Sequence, residues 1–301
     1  MLDARRTPVV VAGVDRERAV FEVVVEAFED AGARWRLPLD YVARFQFARG
    51  GALLDARETG ALQGLVVEAM RALELPATGA ARANSDRALA LEAARVREAI
   101  ASRAALRELD LAAHVAGREG CEEAIALLAS LAAERGVASL EQELARTYVS
   151  NPESGEIVKG HAIVLAEMGL CAYSGRVVVD ESLFDGDGAK DLRRAHILLR
   201  LAFLRELMAV IGRDEVELYR GAAFEGAVHP SRVPSLVAAT FSREVATSHF
   251  DGGPTTRTAL LARQRVPVGR LFMTFLETAA MNGRYREAEA VLVGDPGNLT
   301  F

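Results

Sequence analysis

The spacing of apolar residues along this chain changes near Gly212. Before this glycine the apolar residues mostly recur with the period of an amphipathic helix, whereas after it they tend to alternate with polar ones. Alternation over short stretches is typical of strands with one buried face. The sequence therefore predicts an α+β protein, in which a mainly helical region is followed by a mixed unit that contains strands.

Several helices are expected in the first part. Residues 86–146 contain no proline and are rich in alanine, leucine, glutamate and arginine, a composition that favours helices, with breaks near the glycines. Further helices are expected at residues 156–168 and 189–211, and the second is apolar enough to be covered on two sides. Residues 8–13 predict a strand and residues 16–31 a helix, but the G-x-G-x-x-G fingerprint of a dinucleotide-binding βαβ unit is missing there.

Two turn-rich segments are candidates for a domain boundary, one at residues 76–86 and the other at residues 150–155. We expect a helical region at residues 1–149, with a recruiting or regulatory role, and a second domain at residues 150–301. Short strands are expected in the second domain at residues 216–219, 236–241, 258–266, 270–274 and 286–293.

The charge of the chain limits its partners. The 301 residues carry 36 Lys and Arg against 42 Asp and Glu, a formal net charge of −6. This balance argues against a protein that coats nucleic acid, because phosphate contacts require an excess of cations. From Val216 onward nine arginines stand against eight acidic residues, a net charge of +1. The second part is therefore neutral enough to admit an anionic dinucleotide.

Cysteine usage and the first residues bear on location. Cys121 and Cys171 belong to no C-x-x-C motif or Cys/His cluster, so neither a disulfide framework nor a zinc site is indicated. The apolar run at residues 9–14 is too short for a secretory signal or a membrane span. We expect no membrane partner, and a cytoplasmic protein or one delivered into a target cell without a classical signal.

Three short segments of the second part carry residues suited to chemistry, and the first pairs an arginine with a glycine. Tyr219, Arg220 and Gly221 are expected at the end of a strand. A guanidinium donates hydrogen bonds from a planar fork that suits a pyrophosphate, and a glycine lets the backbone approach a ligand closely. A lone arginine is also commonly a surface or salt-bridge residue, so this segment alone does not identify a site.

The second and third segments carry hydroxyl and carboxyl groups. Thr240 and Ser242 end a strand that leads into an expected helix. Glu287 and Glu289 lie two residues apart on the last expected strand, so their Cβ atoms should lie roughly 6 to 7 Å apart on one face. Carboxylates this close repel, which raises the pKa of one of them, a property useful in a site. Paired glutamates on an edge strand also keep it soluble, and that alternative stays open.

Taken together, the segments resemble the arginine-serine-glutamate class of mono-ADP-ribosyltransferases. That family has a Y-R-G-like strand, a serine-bearing strand that leads to a helix with an A...F pattern, and an E-x-E pair near the C-terminus. The resemblance covers residues 189–301. It implies a mixed α/β, β-sandwich catalytic domain with NAD as co-substrate and no metal. The family often has S-T-S where this chain has Thr240, Phe241 and Ser242, so Thr240 could substitute for Ser242.

The resemblance also implies roles for single residues. Arg220 would bind the NAD phosphates, and the backbone of Gly221 would bind the nicotinamide amide. Glu289, steadied by Ser242, would bind the 2′-hydroxyl of the nicotinamide ribose and stabilise the cationic sugar. Glu287 would orient or deprotonate the acceptor.

Three further residues are assigned by position within the family pattern. Thr240 and Phe250 would complete the NAD-binding set, and Tyr285 would contact the acceptor from a segment that matches the acceptor-recognition loop. The E-x-E pair implies that the acceptor is a protein arginine.

These expectations describe a glycosyltransferase that splits NAD, passes ADP-ribose to a protein and releases nicotinamide. Two alternatives remain. One is an NAD glycohydrolase, in which water accepts the ADP-ribose. The other is a helical interaction module with a degenerate, non-catalytic transferase tail. Whether such a protein is a toxin, a phage-derived modifier or a regulator stays open.

Overall fold

The computed structural model describes residues 74–150, 155–175, 181–224, 233–249, 258–283 and 286–295, together with the backbone of five strands before residue 54.

Those first five strands occupy a region that was expected to be mainly helical. Strands β1 (Val9–Asp15), β2 (Val20–Val25) and β3 (Ala33–Leu37) form an antiparallel sheet in that order. Strand β4 (Ala48–Arg49) pairs with β5 (Ala52–Leu53). The helix predicted at residues 16–31 is wrong, because β2 lies there. The sequence of β2 is four-sixths valine, and β-branched side chains favour strands over helices.

Helices dominate the described chain from residue 79 to residue 210, which confirms a helical region, although it begins later than expected. Both the breaks near the glycines and the two helices after residue 155 are found. Of the helices in the described part, none is long and apolar enough to cross a membrane. The eight α-helices of this part are α1 (Gly79–Ala101), α2 (Ala104–Arg107), α3 (Leu111–Gly117), α4 (Glu122–Glu134), α5 (Ala138–Ser150), α6 (Glu156–Glu167), α7 (Lys190–Val210) and α8 (Arg243–Ser248).

Local sequence sets several of these helix ends. Thr78 caps α1 by accepting a hydrogen bond from the backbone N–H of Ala81 at 3.4 Å. Asp110 caps α3 in the same way, since its carboxylate accepts from two backbone N–H groups at 2.9 and 3.2 Å. Gly136, with φ +68°, follows α4 in the left-handed conformation that glycine adopts most easily.

The second part of the chain contains a five-stranded antiparallel sheet. The remaining strands of the described chain are β6 (Glu74–Leu75), β7 (Tyr173–Ser174), β8 (Glu215–Phe224), β9 (Leu236–Thr240), β10 (Thr258–Pro267), β11 (Leu271–Thr274) and β12 (Glu289–Val293). The spatial order of the five-stranded sheet is β10-β8-β9-β12-β11, so β12 lies inside the sheet, between β9 and β11.

The α+β class predicted from the sequence is confirmed by these helices and this sheet. The β-sandwich implied by the resemblance stays a prediction, because the strands described between residues 215 and 293 all belong to one sheet.

The chain divides into two compact units. One comprises Met1–Leu75 and Ser174–Ala189, and the other comprises Pro76–Tyr173 and Lys190–Phe301. The boundary expected between residues 149 and 150 lies inside the second unit. Helices α1 to α8 and the five-stranded sheet therefore share the second unit.

Helix α7 runs through the core of this second unit. It packs on α1 and on β11, so it is covered on more than one side, as its composition predicts. Its fully buried apolar residues include Ile197, Leu204 and Met208. Four polar side chains of the same helix are also buried, namely those of Arg193, His196, Arg200 and Glu206.

Candidate functional site

A cleft of about 360 Å³ opens beside the sheet of the second unit. Residues that are far apart in the sequence line it. Five of them were singled out from the sequence, namely Arg220, Gly221, Thr240, Glu287 and Glu289. The opposite wall of the cleft comes from α5 and from the short 3-10 helix Ala279–Asn282.

The register of three adjacent strands brings the polar residues together. Thr240 on β9 pairs with Tyr219 on β8 on one side and with Glu289 on β12 on the other. Arg220 follows Tyr219 directly. The expectation that Arg220 and Gly221 end a strand is wrong, because β8 continues to Phe224 and pairs with β10 over its whole length.

The Arg220 guanidinium is held over the sheet. Its Nη1 atom donates a hydrogen bond to the carbonyl of Ala238 at 2.6 Å, on the neighbouring strand. Ala238 also lines the cleft. This bond fixes the direction of the side chain, so the positive charge is presented at the cleft before any ligand arrives.

Packing requires glycine at position 221, and the sequence alone does not reveal this requirement. A Cβ atom at this position would lie 1.7 Å from the carbonyl oxygen of Ala246, which belongs to α8. No side chain fits at such a distance, so only glycine lets α8 pack directly on β8. The close backbone approach expected at Gly221 is therefore an approach to a helix. Its role toward a ligand stays a prediction.

Thr240 and Ser242 differ in what they contact. The buried Thr240 hydroxyl donates to the carbonyl of Glu287 at 2.6 Å and accepts from the backbone N–H of Ser242 at 2.9 Å. The Ser242 hydroxyl instead accepts from the N–H of Val245 at 3.3 Å and so caps α8. Within the described lining of the cleft, the hydroxyl at residue 240 is present and the one at residue 242 is not.

Glu287 and Glu289 both line the cleft, but they do not lie together on one face of a regular strand as predicted. Strand β12 begins only at Glu289, and both Arg286 and Ala288 have left-handed backbones, with φ +45° and +48°. The expectation of a regular strand from residue 286, with a two-residue alternation of side chains, is therefore wrong. Such conformations cost on the order of 1–3 kcal/mol for a residue other than glycine and cluster at functional sites.

Glu289 is the perturbed acid of the cleft. Burial raises its pKa to about 7, and the negative charge of Glu287 adds to this effect. The raised pKa that the paired carboxylates predict is thus found at the residue on the strand. A carboxyl group with this pKa is partly ionised near neutral pH, so small changes at the site shift its protonation.

This pKa predicts how the stability of the protein depends on pH. Between about pH 4.5 and 7 the folded state keeps a proton on Glu289 that the unfolded state has lost, so wild-type stability falls as the pH rises. The Glu289→Gln variant has no carboxyl at this position, so its stability lacks this dependence on pH. We expect the variant to gain up to about 3 kcal/mol of unfolding free energy over wild type at pH 8, and little at pH 4.5.

Urea denaturation at pH 4.5, 6, 7 and 8 measures this gain. Replacement of the exposed Glu108 by glutamine is the matched control for the loss of one acidic side chain. A gain for Glu289→Gln that stays constant across the series would contradict the raised pKa.

The far wall of the cleft was not predicted. Tyr148 and Val149 come from the last turn of α5, and Ala280 and Met281 from the 3-10 helix. His249, which directly follows α8, also lines the cleft. These residues form no motif, so only the fold brings them together.

A buried ion cluster lies behind this wall. The Arg200 guanidinium is fully buried and donates to Glu141 through Nε at 2.7 Å and through Nη2. Its Nη1 atom donates to Glu277 and to the Thr278 hydroxyl, each at 3.2 Å. Burial opposes ionisation of both acids. At Glu141 this is outweighed by Arg200 and His196, which lower its pKa to about 2, whereas burial prevails at Glu277 and raises its pKa.

Two histidines extend the cluster. Nδ1 of His161 lies 2.8 Å from Nη1 of Arg193 and 3.0 Å from the carbonyl oxygen of Ile157. Nε2 of His161 lies 2.9 Å from Nδ1 of His196, and Nε2 of His196 lies 2.8 Å from a carboxylate oxygen of Glu141. Burial lowers the pKa of both rings. The spacing of Arg193, His196 and Arg200 on one face of an apolar helix was the available sequence signal.

Two predicted site residues cannot be placed against the cleft. Phe250, assigned to NAD binding, and Tyr285, assigned to the acceptor, lie outside the described residues. Among the residues that are described, no group of three or more His, Cys, Asp or Glu side chains is arranged to hold a metal ion.

Comparison of the chain with models of protein families, with curated proteins and with solved structures finds no match.

Proposed function

We propose that the cleft binds NAD and that the protein transfers ADP-ribose from it to a protein arginine, with release of nicotinamide. The observation that supports this most is the convergence of Arg220, Thr240, Glu287 and Glu289 in one cleft, with the pKa of Glu289 raised to about 7. The resemblance implies a cation, a hydroxyl and paired acids at an NAD site, with the hydroxyl on Ser242 or Thr240, and the presence of Thr240 in the cleft supports the second choice.

The cleft offers chemically suitable partners for the pyrophosphate and for one aromatic ring of NAD. Its volume lies within the roughly 300–1,000 Å³ that is usual for small-molecule sites. The guanidinium of Arg220 suits the pyrophosphate, because it donates two parallel hydrogen bonds to phosphate oxygens. The apolar wall formed by Val149, Ala280 and Met281 suits an aromatic ring.

The reaction breaks the bond between C1′ of the ribose and the nicotinamide nitrogen, and the bonding electrons leave with nicotinamide. Positive charge then develops on the sugar. An ionised Glu289 that binds the 2′-hydroxyl stabilises this charge, and its burial strengthens the effect because little water screens it.

The second half of the reaction forms a new bond to C1′. A guanidinium nitrogen of the acceptor attacks the cationic sugar and must lose a proton as the bond forms. Glu287 lines the same cleft outside the ladder of β12, and in this proposal it accepts that proton. The proposed reaction therefore needs two acids with different roles, and in the cleft Glu289 and Glu287 lie in different environments.

The first test of this proposal is NAD binding to the full chain. We expect Arg220→Gln to weaken binding about tenfold or more, because a hydrogen bond to a charged group contributes about 1.5–3 kcal/mol. Arg263→Gln, which removes an exposed arginine paired with Glu217 at 2.8 Å, is the matched control and should leave the affinity unchanged.

Isothermal titration calorimetry in the presence of a chelator measures these affinities. Absence of NAD binding to the wild type would overturn the proposed function, and loss of binding on addition of the chelator would show that the site depends on a metal. Release of free ADP-ribose without labelled protein would identify water as the acceptor.

A further inference from the structure

We propose that Arg200 is a positioning residue that holds the two halves of the far cleft wall at a fixed separation. One half is the end of α5, and the other is the 3-10 helix Ala279–Asn282 with the turn before it. What the cleft binds is taken from the proposed function, but the coupling of the two halves rests on contacts alone.

The first half of the wall is tied to Arg200 through Glu141. Glu141 and Tyr148 lie seven residues apart on α5, two helical turns, and so occupy the same face. Arg200 contacts both carboxylate oxygens of Glu141. A shift of this carboxylate relative to α7 would move the end of α5, and with it Tyr148, along the cleft.

The second half is tied to the same guanidinium through Glu277. This buried carboxylate accepts from the N–H of Thr274 at 2.7 Å and from its hydroxyl at 2.5 Å, which closes the turn after β11. The turn leads directly into the 3-10 helix that carries Met281. The N–H of Phe275 in the turn also donates to the carbonyl of Glu289 at 2.9 Å.

Only an arginine side chain can pair with Glu141 and Glu277 at the same time. Its rigid fork reaches Glu141 with two nitrogens and Glu277 with the third. A lysine has a single charged nitrogen and would leave one buried acid without its cation. The consequence would be a wall whose two halves move independently, and a ligand would then have to order them on binding.

Arg200→Lys in the full chain tests this separation, with Arg194→Lys as the control. Arg194 lies on the same helix but makes exposed pairs with Asp191 and Glu167. For Arg200→Lys we expect a KM for NAD about tenfold higher, with kcat within twofold of wild type. A purely structural defect would instead lower the active fraction, and so lower kcat at unchanged KM.

Hydrogen–deuterium exchange supplies a readout that does not depend on any activity. In Arg200→Lys, exchange should accelerate at least tenfold in both residues 142–150 and residues 275–283, and neither segment should change in Arg194→Lys. Acceleration in one segment only, or in neither, would overturn the coupling even if NAD binds. Conversely, wild type that fails to bind NAD while both segments accelerate would refute the proposed function and leave the coupling intact.

Thr278→Val is the second variant, in case Arg200→Lys does not fold. It removes the hydroxyl that accepts from Arg200 at 3.2 Å and donates to Glu277 at 3.0 Å, on the turn side of the wall. If the guanidinium couples the halves, this change also accelerates exchange in residues 142–150 of α5, where no atom has been altered. Exchange that accelerates only near residue 278 would overturn the proposal.

Discussion

Replacement of Glu289 by glutamine should lower both NAD cleavage and ADP-ribosyl transfer by a factor of about 100 or more. The substitution keeps the shape of the side chain but removes the charge that stabilises the cationic sugar. Since both reactions pass through that cation, they should fall together. The same variant should be more stable than wild type at pH 8, so the loss cannot be attributed to unfolding.

Glu287→Gln should separate the two activities. In the proposed reaction its carboxylate acts on the acceptor, so the departing nicotinamide and the sugar cation would remain stabilised by Glu289, and water could still intercept the cation. Protein labelling should collapse, whereas slow NAD hydrolysis should survive. Nicotinamide release and labelling of an acceptor protein are measured on the same samples, and equal loss of both activities in both variants would refute this division of labour.

Deletion of residues 1–149 should abolish cooperative folding of the remaining chain. It removes Glu141, and loss of one partner from a buried ion pair costs about 3–5 kcal/mol. It also removes α1, which packs along α7, and a whole domain is stable by only about 5–15 kcal/mol. The cut would therefore test folding, and not the recruitment of a target as the sequence suggested.

Deletion of residues 1–75 is the matched control. These residues belong to the other compact unit, so the shorter deletion should retain a cooperative thermal transition by circular dichroism. A cooperative transition in the protein cut at residue 149 would contradict the assignment of the helices to the second compact unit.

The part of the site that the sequence predicts is the part made of short segments with local chemical meaning. The convergence of Arg220, Thr240, Glu287 and Glu289 could be predicted because their residue types and their order along the chain are visible in the sequence. The long apolar helix and the α+β class were predicted for the same reason, since each depends on a periodicity.

The features that escaped prediction depend on partners distant in the chain. Arg200 contacts Glu141 and Glu277, which lie 59 and 77 residues away, and no local pattern relates them. Backbone conformation was missed as well. Nothing in the residue type of Arg286 or Ala288 indicates a left-handed φ, because tertiary contacts impose it.

The packing of α8 on β8 affects how related sequences should be compared with this one. Any homologue that keeps this helix against this strand needs glycine at position 221, whether or not it binds a nucleotide, because a Cβ atom would meet the carbonyl of Ala246. Conservation of the Arg-Gly pair would therefore mix two selective pressures. Variation at position 220 in sequences that retain Gly221 would distinguish lineages that keep the architecture from lineages that keep the chemistry.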